Sequence, residues 1–166
     1  MFVNGKNLLT AAPIKDMFHM QHRNYGTSYG LGPAGYDIRI KEKITFTHGV
    51  NHSCWITVLD GDITTGSRGR FTLASTLEEF QMPFDLVGTV RDKSSWARRG
   101  LSVFNTIIEP GWNGFLTLEL VFNGHKSLTI PAGSGIAQIL FGRLECKGDY
   151  GNGKYQNAPG LEEAKV

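Results

Sequence analysis

A carboxylate stands in the middle of a stretch that has the composition of a strand. In GWNGFLTLELVF, residues 111–122, the side chains of Leu116, Leu118 and Leu120 alternate with a second set that contains Glu119. Successive side chains of a strand point to opposite faces of its sheet, so Glu119 points away from the leucines. A buried charge without a partner is costly. Two interpretations remain open: a partly solvated face or ion pair, and a general base that faces a pocket.

Hydrogen-bond donors are concentrated in RDKSSWARRGL, residues 91–101. They are the side chains of Lys93, Ser94, Ser95, Arg98 and Arg99. Hydroxyl groups, free backbone N–H groups at a helix start and guanidinium groups all suit phosphate oxygens. The alternative is a polar loop that a serine caps into one helical turn. Either interpretation predicts a short helix at residues 95–99, which the following glycine would end.

A third cluster lies near the end of the chain, in YGNGKYQ, residues 150–156. It combines a glycine-rich segment with Tyr150, Lys154 and Tyr155. Such a segment could close over a ligand, with the lysine as a point charge and a tyrosine as a stacking surface or hydroxyl donor. The alternative is a solvated, disordered terminus.

Evidence for other chemistry is weaker. His19 and His22 have a spacing that could place them on one helical face, but no third metal ligand is evident. The sequence TGSRGR, residues 65–70, could bind phosphate, and a hairpin turn explains it equally well. There is no Walker loop, no GxSxG motif and no Cys/His zinc signature. We therefore predict no metal held by the protein itself.

The composition limits the class of protein. A chain of 166 residues suffices for one domain with a core, and its 21 glycines between short apolar runs favour an all-β fold. A formal net charge of +2 gives no case for nucleic-acid binding, although it leaves small anionic ligands open. Cys54 and Cys146 do not make a disulfide framework. No apolar run reaches the length of a membrane span and no signal peptide is evident, so we expect a cytoplasmic protein with no membrane partner.

The order of apolar and polar residues predicts many short strands between turns, which is typical of a sandwich, jelly roll or barrel. Glu42 falls on the apolar face of the first predicted strand. A helix is expected around Lys15–Met20, a turn-rich segment at 24–35 and a loop at 60–70. The predicted strands are 36–46, 54–59, 70–83, 85–90, 115–122, 126–131 and 135–145.

Taken in order, these clusters resemble one family. The chain is similar to the dCTP deaminases of the dUTPase superfamily, and the likeness covers most of residues 33–156, with its weakest part at 47–70. The segments that carry it are PAGYDIRI, FTLASTLEEFQMPFDLVG, LVGTVRDKSSWARRGLSV, EPGWNGFLTLEL, IPAGSGIAQILF and YGNGKYQ. The likeness is specific because separate motifs occur in the same order.

The resemblance implies a fold, an assembly and an activity. We expect a distorted β-barrel or jelly-roll domain with short helices over residues 1–166, in which a flexible tail, 147–166, closes on the nucleotide. It implies a homotrimer with active sites between subunits. It also implies a hydrolase that converts dCTP, or a close analogue, to dUTP and ammonia in pyrimidine deoxynucleotide metabolism. Mg²⁺ would bind through the triphosphate, without zinc.

The resemblance further implies roles for individual residues. Glu119 occupies the position of the catalytic glutamate, and Arg98 and Ser94 match the Arg and Ser of the family's RSSxAR motif. Lys93 replaces the first arginine of that motif. The residues expected to bind substrate are Lys93, Ser94, Ser95, Arg98, Gln138, Tyr150, Lys154 and Tyr155.

Three departures from the family pattern leave alternatives open. The loop at 104–109, which helps to form the family's base pocket, is shorter than the usual one. Glu109 stands where an Asp is usual, and Ala158 where a Gln is usual. One alternative is a dUTPase-like or other dNTP diphosphohydrolase, either bifunctional or specific for a modified nucleotide, with Glu109 as its base. Another is a nucleotide-binding regulator that has lost the chemistry.

Overall fold

The protein is built mainly from short strands. The structure is a computed structural model that describes residues 1–165. Its helices are α1 (Gly5–Ala11) and α2 (Ser94–Ala97), with a single 3-10 turn at Val50–His52. The strands are β1 (Phe2–Val3), β2 (Gln21–Asn24), β3 (Thr27–Leu31), β4 (Tyr36–Arg39), β5 (Lys43–His48), β6 (Cys54–Asp60), β7 (Ile63–Arg68), β8 (Phe71–Gln81), β9 (Leu86–Asp92), β10 (Leu101–Val103), β11 (Ile107–Ile108), β12 (Asn113–Phe122), β13 (Leu128–Ile130) and β14 (Gly135–Arg143).

The strands described in residues 1–165 form three antiparallel sheets. One has the order β11-β9-β14-β4-β3-β2, and β1 also pairs with β14. The second is β10-β12-β8 and the third is β13-β5-β6-β7. The all-β class predicted from the sequence is confirmed, with the sheets packed around a shared apolar core. The two α-helices fall short of the length and apolar character that a membrane-crossing helix needs.

The predicted strand at 36–46 is two strands, although its alternation is as expected. Ile38, Ile40, Ile44 and Phe46 are all fully buried. The chain leaves β4 and enters β5 around Glu42, which is also buried and accepts a hydrogen bond from the backbone N–H of Ser75 at 2.8 Å. Burial raises the pKa of the Glu42 carboxyl above its ordinary value.

The helix expected around Lys15–Met20 is wrong. The helix of this region is α1, which ends at Ala11; its C-cap, Ala12, has a left-handed φ of 45° and precedes a proline. Proline disfavours helical geometry in the residue before it. Beyond it, the backbone N–H of Lys15 donates to the carbonyl oxygen of Glu79 at 2.9 Å, and Asp16 has a φ of 48°. The segment is therefore fixed to β8 as a turn.

The loop expected at 60–70 is also wrong, because it contains β7. This strand pairs with β6 in a hairpin and all six of its residues are exposed. A strand exposed on both faces lacks the alternation by which strands are recognised in a sequence. The turn-rich segment 24–35 likewise contains β3, which pairs with β2 around a turn at Tyr25 and Gly26.

Candidate active site

A cavity of about 560 Å³ lies along β12. Its walls are formed by the start of β8, the loop at 105–109, which includes β11, and β12 itself. The last wall is the C-terminal segment, by which we mean residues 147–165. Most of the lining side chains are apolar or aromatic, and Glu109 and Glu119 both reach it. A largely apolar cavity with a few polar groups is the usual form of a small-molecule site.

Glu119 lies where the sequence pattern predicts. On β12 the neighbouring Leu118 and Leu120 are fully buried in the core, whereas Glu119 is half-buried on the opposite face and lines the cavity. Its backbone carbonyl accepts a hydrogen bond from the N–H of Phe104 at 2.9 Å, immediately beyond β10. The carboxylate therefore projects from a paired strand, which limits the movement of the backbone that carries it.

Glu109 reaches the same cavity from the turn before β12. The backbone N–H of Trp112 donates to the Glu109 carbonyl oxygen at 3.3 Å across this turn. Gly111 within it has a φ of 75°, and a Cβ there would lie 2.7 Å from Oδ1 of Asp149. The turn therefore requires glycine for its backbone conformation, and the side chains of Asp149 and Phe84 pack into the space that a Cβ would occupy.

The C-terminal segment is bound to the outer edge of β12. The Trp112 indole Nε1 donates to the carbonyl oxygen of Tyr155 at 2.7 Å. The backbone N–H of Phe115 donates to the carbonyl oxygen of Ala158 at 2.9 Å, and Ala158 forms a parallel bridge with Gly114. These contacts bring Tyr150 and Tyr155 to the cavity wall.

Two other residues of the C-terminal segment offer no polar side-chain group to the cavity. The side chain of Lys154 is exposed, is not among the cavity-lining residues and donates to the carbonyl oxygen of Lys165. Ala158 is buried against β12, where the family has a Gln, so its methyl group packs on the strand and offers no polar contact.

The predicted phosphate-binding segment folds as expected but lies outside the cavity. It contains α2, and Gly100 beyond it has a φ of 90°, so the short helix and its glycine end are confirmed. The indole Nε1 of Trp96 donates to the carbonyl oxygen of Gly135 at 2.7 Å, which anchors α2 to β14. Ser94, Ser95 and Arg98 are exposed and do not line the cavity.

The side chain of Lys93 forms an ion pair with the buried Asp37. Its Nζ lies 2.7 Å from Oδ2 of Asp37, and the lysine side chain is only 10% exposed. The same carboxylate oxygen accepts hydrogen bonds from Ser28 Oγ at 2.8 Å and Gln21 Nε2 at 3.3 Å. Gln138 is half-buried on β14, directly opposite Asp37 in the strand register. Neither Lys93 nor Gln138 lines the cavity.

The cavity is therefore acidic within the described part of the chain. Its lining contains Glu109, Glu119, Glu162 and Glu163, and no Lys or Arg. The first two were expected from the sequence, whereas the last two were not, because they lie beyond residue 156, where the family resemblance ends. A bound triphosphate needs cations, and in residues 1–165 the cavity walls supply none.

No group of three or more His, Cys, Asp or Glu within residues 1–165 is arranged to hold a metal ion. His22 instead stacks on Tyr29, with ring centroids 5.5 Å apart, and His19 is exposed.

Comparison with known proteins identifies the family. A family model described as dCTP deaminase-like matches residues 9–144. The chain belongs to the dCTP deaminase-like family. Relatives include the dCTP deaminase of Campylobacter jejuni (strain RM1221) and that of Sulfurovum sp. (strain NBC37-1), each 35% identical over 152 residues. The alignments cover 84% of this chain and 82% and 81% of those two proteins.

The fold has a solved counterpart in the native dUTPase of EIAV, with a TM-score of 0.51 and 18% identity. That match covers 87% of this chain and 95% of the dUTPase chain. The resemblance predicted from the sequence is thereby confirmed, as is the dUTPase-like fold class. Membership makes the protein an enzyme of the dCTP deaminase and dUTPase-like class.

Proposed function

We propose that the protein deaminates dCTP, or a close dCTP analogue, to dUTP and ammonia, with Glu119 as the general base. The observation that carries the proposal is the half-buried Glu119 side chain on the wall of a cavity of about 560 Å³. The cavity is large enough for a nucleoside and is lined by aromatic side chains that can contact a base. Relatives at 35% identity that bear the name dCTP deaminase support the choice of substrate.

The chemistry needs one water and one proton relay. The water oxygen forms a bond to C4 of cytosine while Glu119 accepts a proton from that water. Glu119 then passes the proton to the amino group at C4, the C–N bond breaks and ammonia leaves. Adding the water opens the C4=N3 double bond onto N3, and as ammonia leaves the remaining hydroxyl proton is transferred to N3, so that the carbon is left as the C4 carbonyl of uracil. In this proposal Ser94 orients the water and Arg98 stabilises the negative charge that develops as the water adds.

Ser94 and Arg98 must then come from a second copy of the chain, because in one chain they lie outside the cavity that Glu119 lines. A homotrimer with sites between subunits meets this requirement. Ser95, Arg98 and Lys93 of the neighbouring copy would hold the triphosphate, together with Gln138, Tyr150, Lys154 and Tyr155. Mg²⁺, bound through the triphosphate oxygens, would neutralise their charge, which contributes to positioning.

A second candidate function is diphosphohydrolysis of a deoxynucleoside triphosphate. The observation in its favour is that Glu109 lines the same cavity as Glu119. In this reaction Glu109 would accept the proton of a water that attacks phosphorus, and the base would be unchanged. Its extra methylene relative to Asp moves the carboxylate, and small displacements are costly in catalysis.

One assay separates these functions. The purified protein is incubated with each dNTP, with dUTP and with 5-substituted dCTP analogues, with and without Mg²⁺, while ammonia, pyrophosphate and the base are measured. We expect ammonia from dCTP or an analogue without pyrophosphate. Pyrophosphate with an unchanged base would establish the second candidate instead. No turnover, with a rise in Tm on adding a nucleotide, would identify a regulator without chemistry.

A further inference from the structure

The outer edge of β12 is covered by three different parts of the chain in succession. Backbone groups of its odd-numbered residues face this edge. At Glu119 the partner is Phe104, next to β10, and at Phe115 it is Ala158 in the C-terminal segment. Between these two partners, no backbone group in residues 1–165 pairs with the N–H of Glu119 or the carbonyl oxygen of Thr117.

A single side chain fills this gap. The backbone N–H of Glu119 donates to Oδ1 of Asn105 at 3.0 Å, and Nδ2 of Asn105 donates to the carbonyl oxygen of Thr117 at 2.6 Å. Both bonds use the same side-chain amide. That amide carries a donor and an acceptor, as a peptide group does, and so it can replace one unit of a strand.

The register between β10 and β12 shows which backbone hydrogen bond the Asn105 side chain replaces. β10 pairs Val103 with Leu120, so Phe104 is the next residue and stands opposite Glu119. In a regular antiparallel pair, two opposite residues can exchange both of their backbone hydrogen bonds. Phe104 gives the first bond, from its N–H to the Glu119 carbonyl at 2.9 Å. The return bond goes to the Asn105 side chain, because the chain turns away into the 105–109 loop.

We infer that Asn105 is a positioning residue for Glu119. The inference rests on the proposed function, in which Glu119 is the general base. Asn105 acts through the backbone on both sides of Leu118 and fixes the part of β12 from which the carboxylate projects. The short loop would otherwise leave these backbone groups without partners beside a largely apolar cavity, and such groups are costly there.

The test compares variants that differ in donor and acceptor. Asn105→Ala removes both bonds, whereas Asn105→Asp keeps an acceptor for Glu119 N–H and removes the donor to Thr117. Ser102→Ala is the control, since Ser102 is half-buried on β10 and its side chain has no hydrogen bond among the described residues. Two readouts are used: steady-state kinetics of ammonia release, and hydrogen exchange of the Glu119 backbone amide by NMR.

We expect Asn105→Ala to lower kcat by roughly 10- to 100-fold while KM changes by less than about threefold, because a displaced base harms the chemical step more than binding. The Glu119 amide should exchange faster in Asn105→Ala and stay protected in Asn105→Asp and Ser102→Ala. If Asn105→Ala does not fold, the retained protection and lowered kcat of Asn105→Asp carry the test.

Two failures are distinguishable. Unchanged kcat in both Asn105 variants would overturn the positioning role, and so would unchanged protection of the Glu119 amide in Asn105→Ala. If the wild-type protein releases no ammonia from any nucleotide, the proposed function fails and the positioning role fails with it. The exchange data would then still show whether Asn105 replaces a strand partner.

Discussion

The indole Nε1 of Trp112 donates a hydrogen bond to the carbonyl oxygen of Tyr155 at 2.7 Å. Trp112 is buried where the 109–112 turn enters β12, so this bond joins the C-terminal segment to the strand that carries Glu119. The segment brings two tyrosines and two glutamates to the cavity. Its attachment to β12 thus determines the shape of the proposed active site.

We predict that Trp112→Phe loosens the C-terminal segment without unfolding the domain. A six-membered aromatic ring remains, but the Tyr155 carbonyl loses its indole donor, and the loss of this hydrogen bond alone costs about 1 kcal/mol. Hydrogen exchange and limited proteolysis should show increased opening of residues 150–158. Nucleotide affinity should fall by roughly fivefold, because a free-energy change of about 1 kcal/mol corresponds to that change in Kd. Trp55→Phe is the control, because Trp55 is exposed on β6. Equal protection in wild type and Trp112→Phe would contradict the prediction.

A related truncation tests the segment as a whole. Ending the chain before Tyr150 removes both tyrosines and should weaken triphosphate binding more than Trp112→Phe does. Isothermal titration with a non-hydrolysable nucleotide would measure the difference. Unchanged affinity of the truncated protein would reject the idea that the segment closes on the nucleotide.

Glu119→Gln and Glu109→Gln separate the two candidate reactions. Glutamine keeps the size of the side chain but cannot act as the base. We expect Glu119→Gln to bind nucleotide with near wild-type affinity and to lose ammonia release by roughly 10²- to 10⁴-fold, the usual scale of a general base. Glu109→Gln should retain most ammonia release. The opposite pattern, with loss of pyrophosphate release only in Glu109→Gln, would favour the hydrolase.

Mixing two inactive variants tests whether the site is shared between copies. If Glu119 and Arg98 of one site come from different chains, Glu119→Gln and Arg98→Ala homotrimers should each be inactive. Refolding them together at equal concentrations should restore both groups in about a quarter of the sites, because each site draws one group from each of two randomly chosen chains. Light scattering gives the oligomeric state of the mixture. No recovery of ammonia release from a confirmed mixed trimer would show that one chain supplies both groups.

The ion pair of Lys93 and Asp37 predicts a stability effect at a position assigned to substrate binding. Lys93→Met should lower the free energy of unfolding by about 3 kcal/mol, because it leaves a buried carboxylate without its cation. The double variant Asp37→Asn, Lys93→Met should recover much of this loss, as measured by urea denaturation. Additive effects of the two substitutions would show that the pair is not coupled.

The buried Glu42 predicts a pH-dependent stability. Burial raises the folded-state pKa of the Glu42 carboxyl above its ordinary value, so the stabilisation that is fully present below the ordinary pKa is lost as the pH rises through the folded-state pKa. Glu42→Gln keeps an oxygen that can accept the Ser75 N–H and carries no charge. We therefore expect Glu42→Gln to have a higher Tm than wild type at pH 7, and a difference that shrinks towards pH 4 in thermal scans.

The exposed Glu145→Gln is the control for that series. Glu145→Gln should show the same change in Tm between pH 4 and pH 7 as the wild-type protein. A Glu42→Gln variant that is less stable than wild type at pH 7 would show that the charged form contributes favourably.

The sequence predicts those parts of the fold in which burial differs between faces. The alternation in 115–122 correctly placed Glu119 opposite Leu118 and Leu120. A register shift between Phe115 and Thr117, however, brings Leu116 to the same cavity as Glu119. Gly100 correctly marked the end of α2. β7 could not be predicted, because Ile63 is its one large apolar side chain and the strand is exposed throughout. The helix expected at 15–20 failed because contacts with β8, far along the chain, fix the backbone there.

Much of the candidate site depends on contacts that local patterns do not contain. Glu109, Glu119, Tyr150 and Tyr155 were chosen by residue type and by resemblance, and the structure places all four at one cavity. The pairing of Lys93 with Asp37 joins positions 56 residues apart. Asn105 was missed because its role depends on where β10 ends relative to β12, a feature of strand register that neither segment shows by itself.

The way the outer edge of β12 is covered has a consequence for solubility. Open strand edges are templates for pairing with other chains, and proteins protect them with loops or other segments. Here residues 156–158 cover the backbone groups of Asn113 and Phe115. Release of the C-terminal segment would expose that edge next to an apolar cavity, so the same segment that shapes the site also guards the protein against edge-to-edge aggregation.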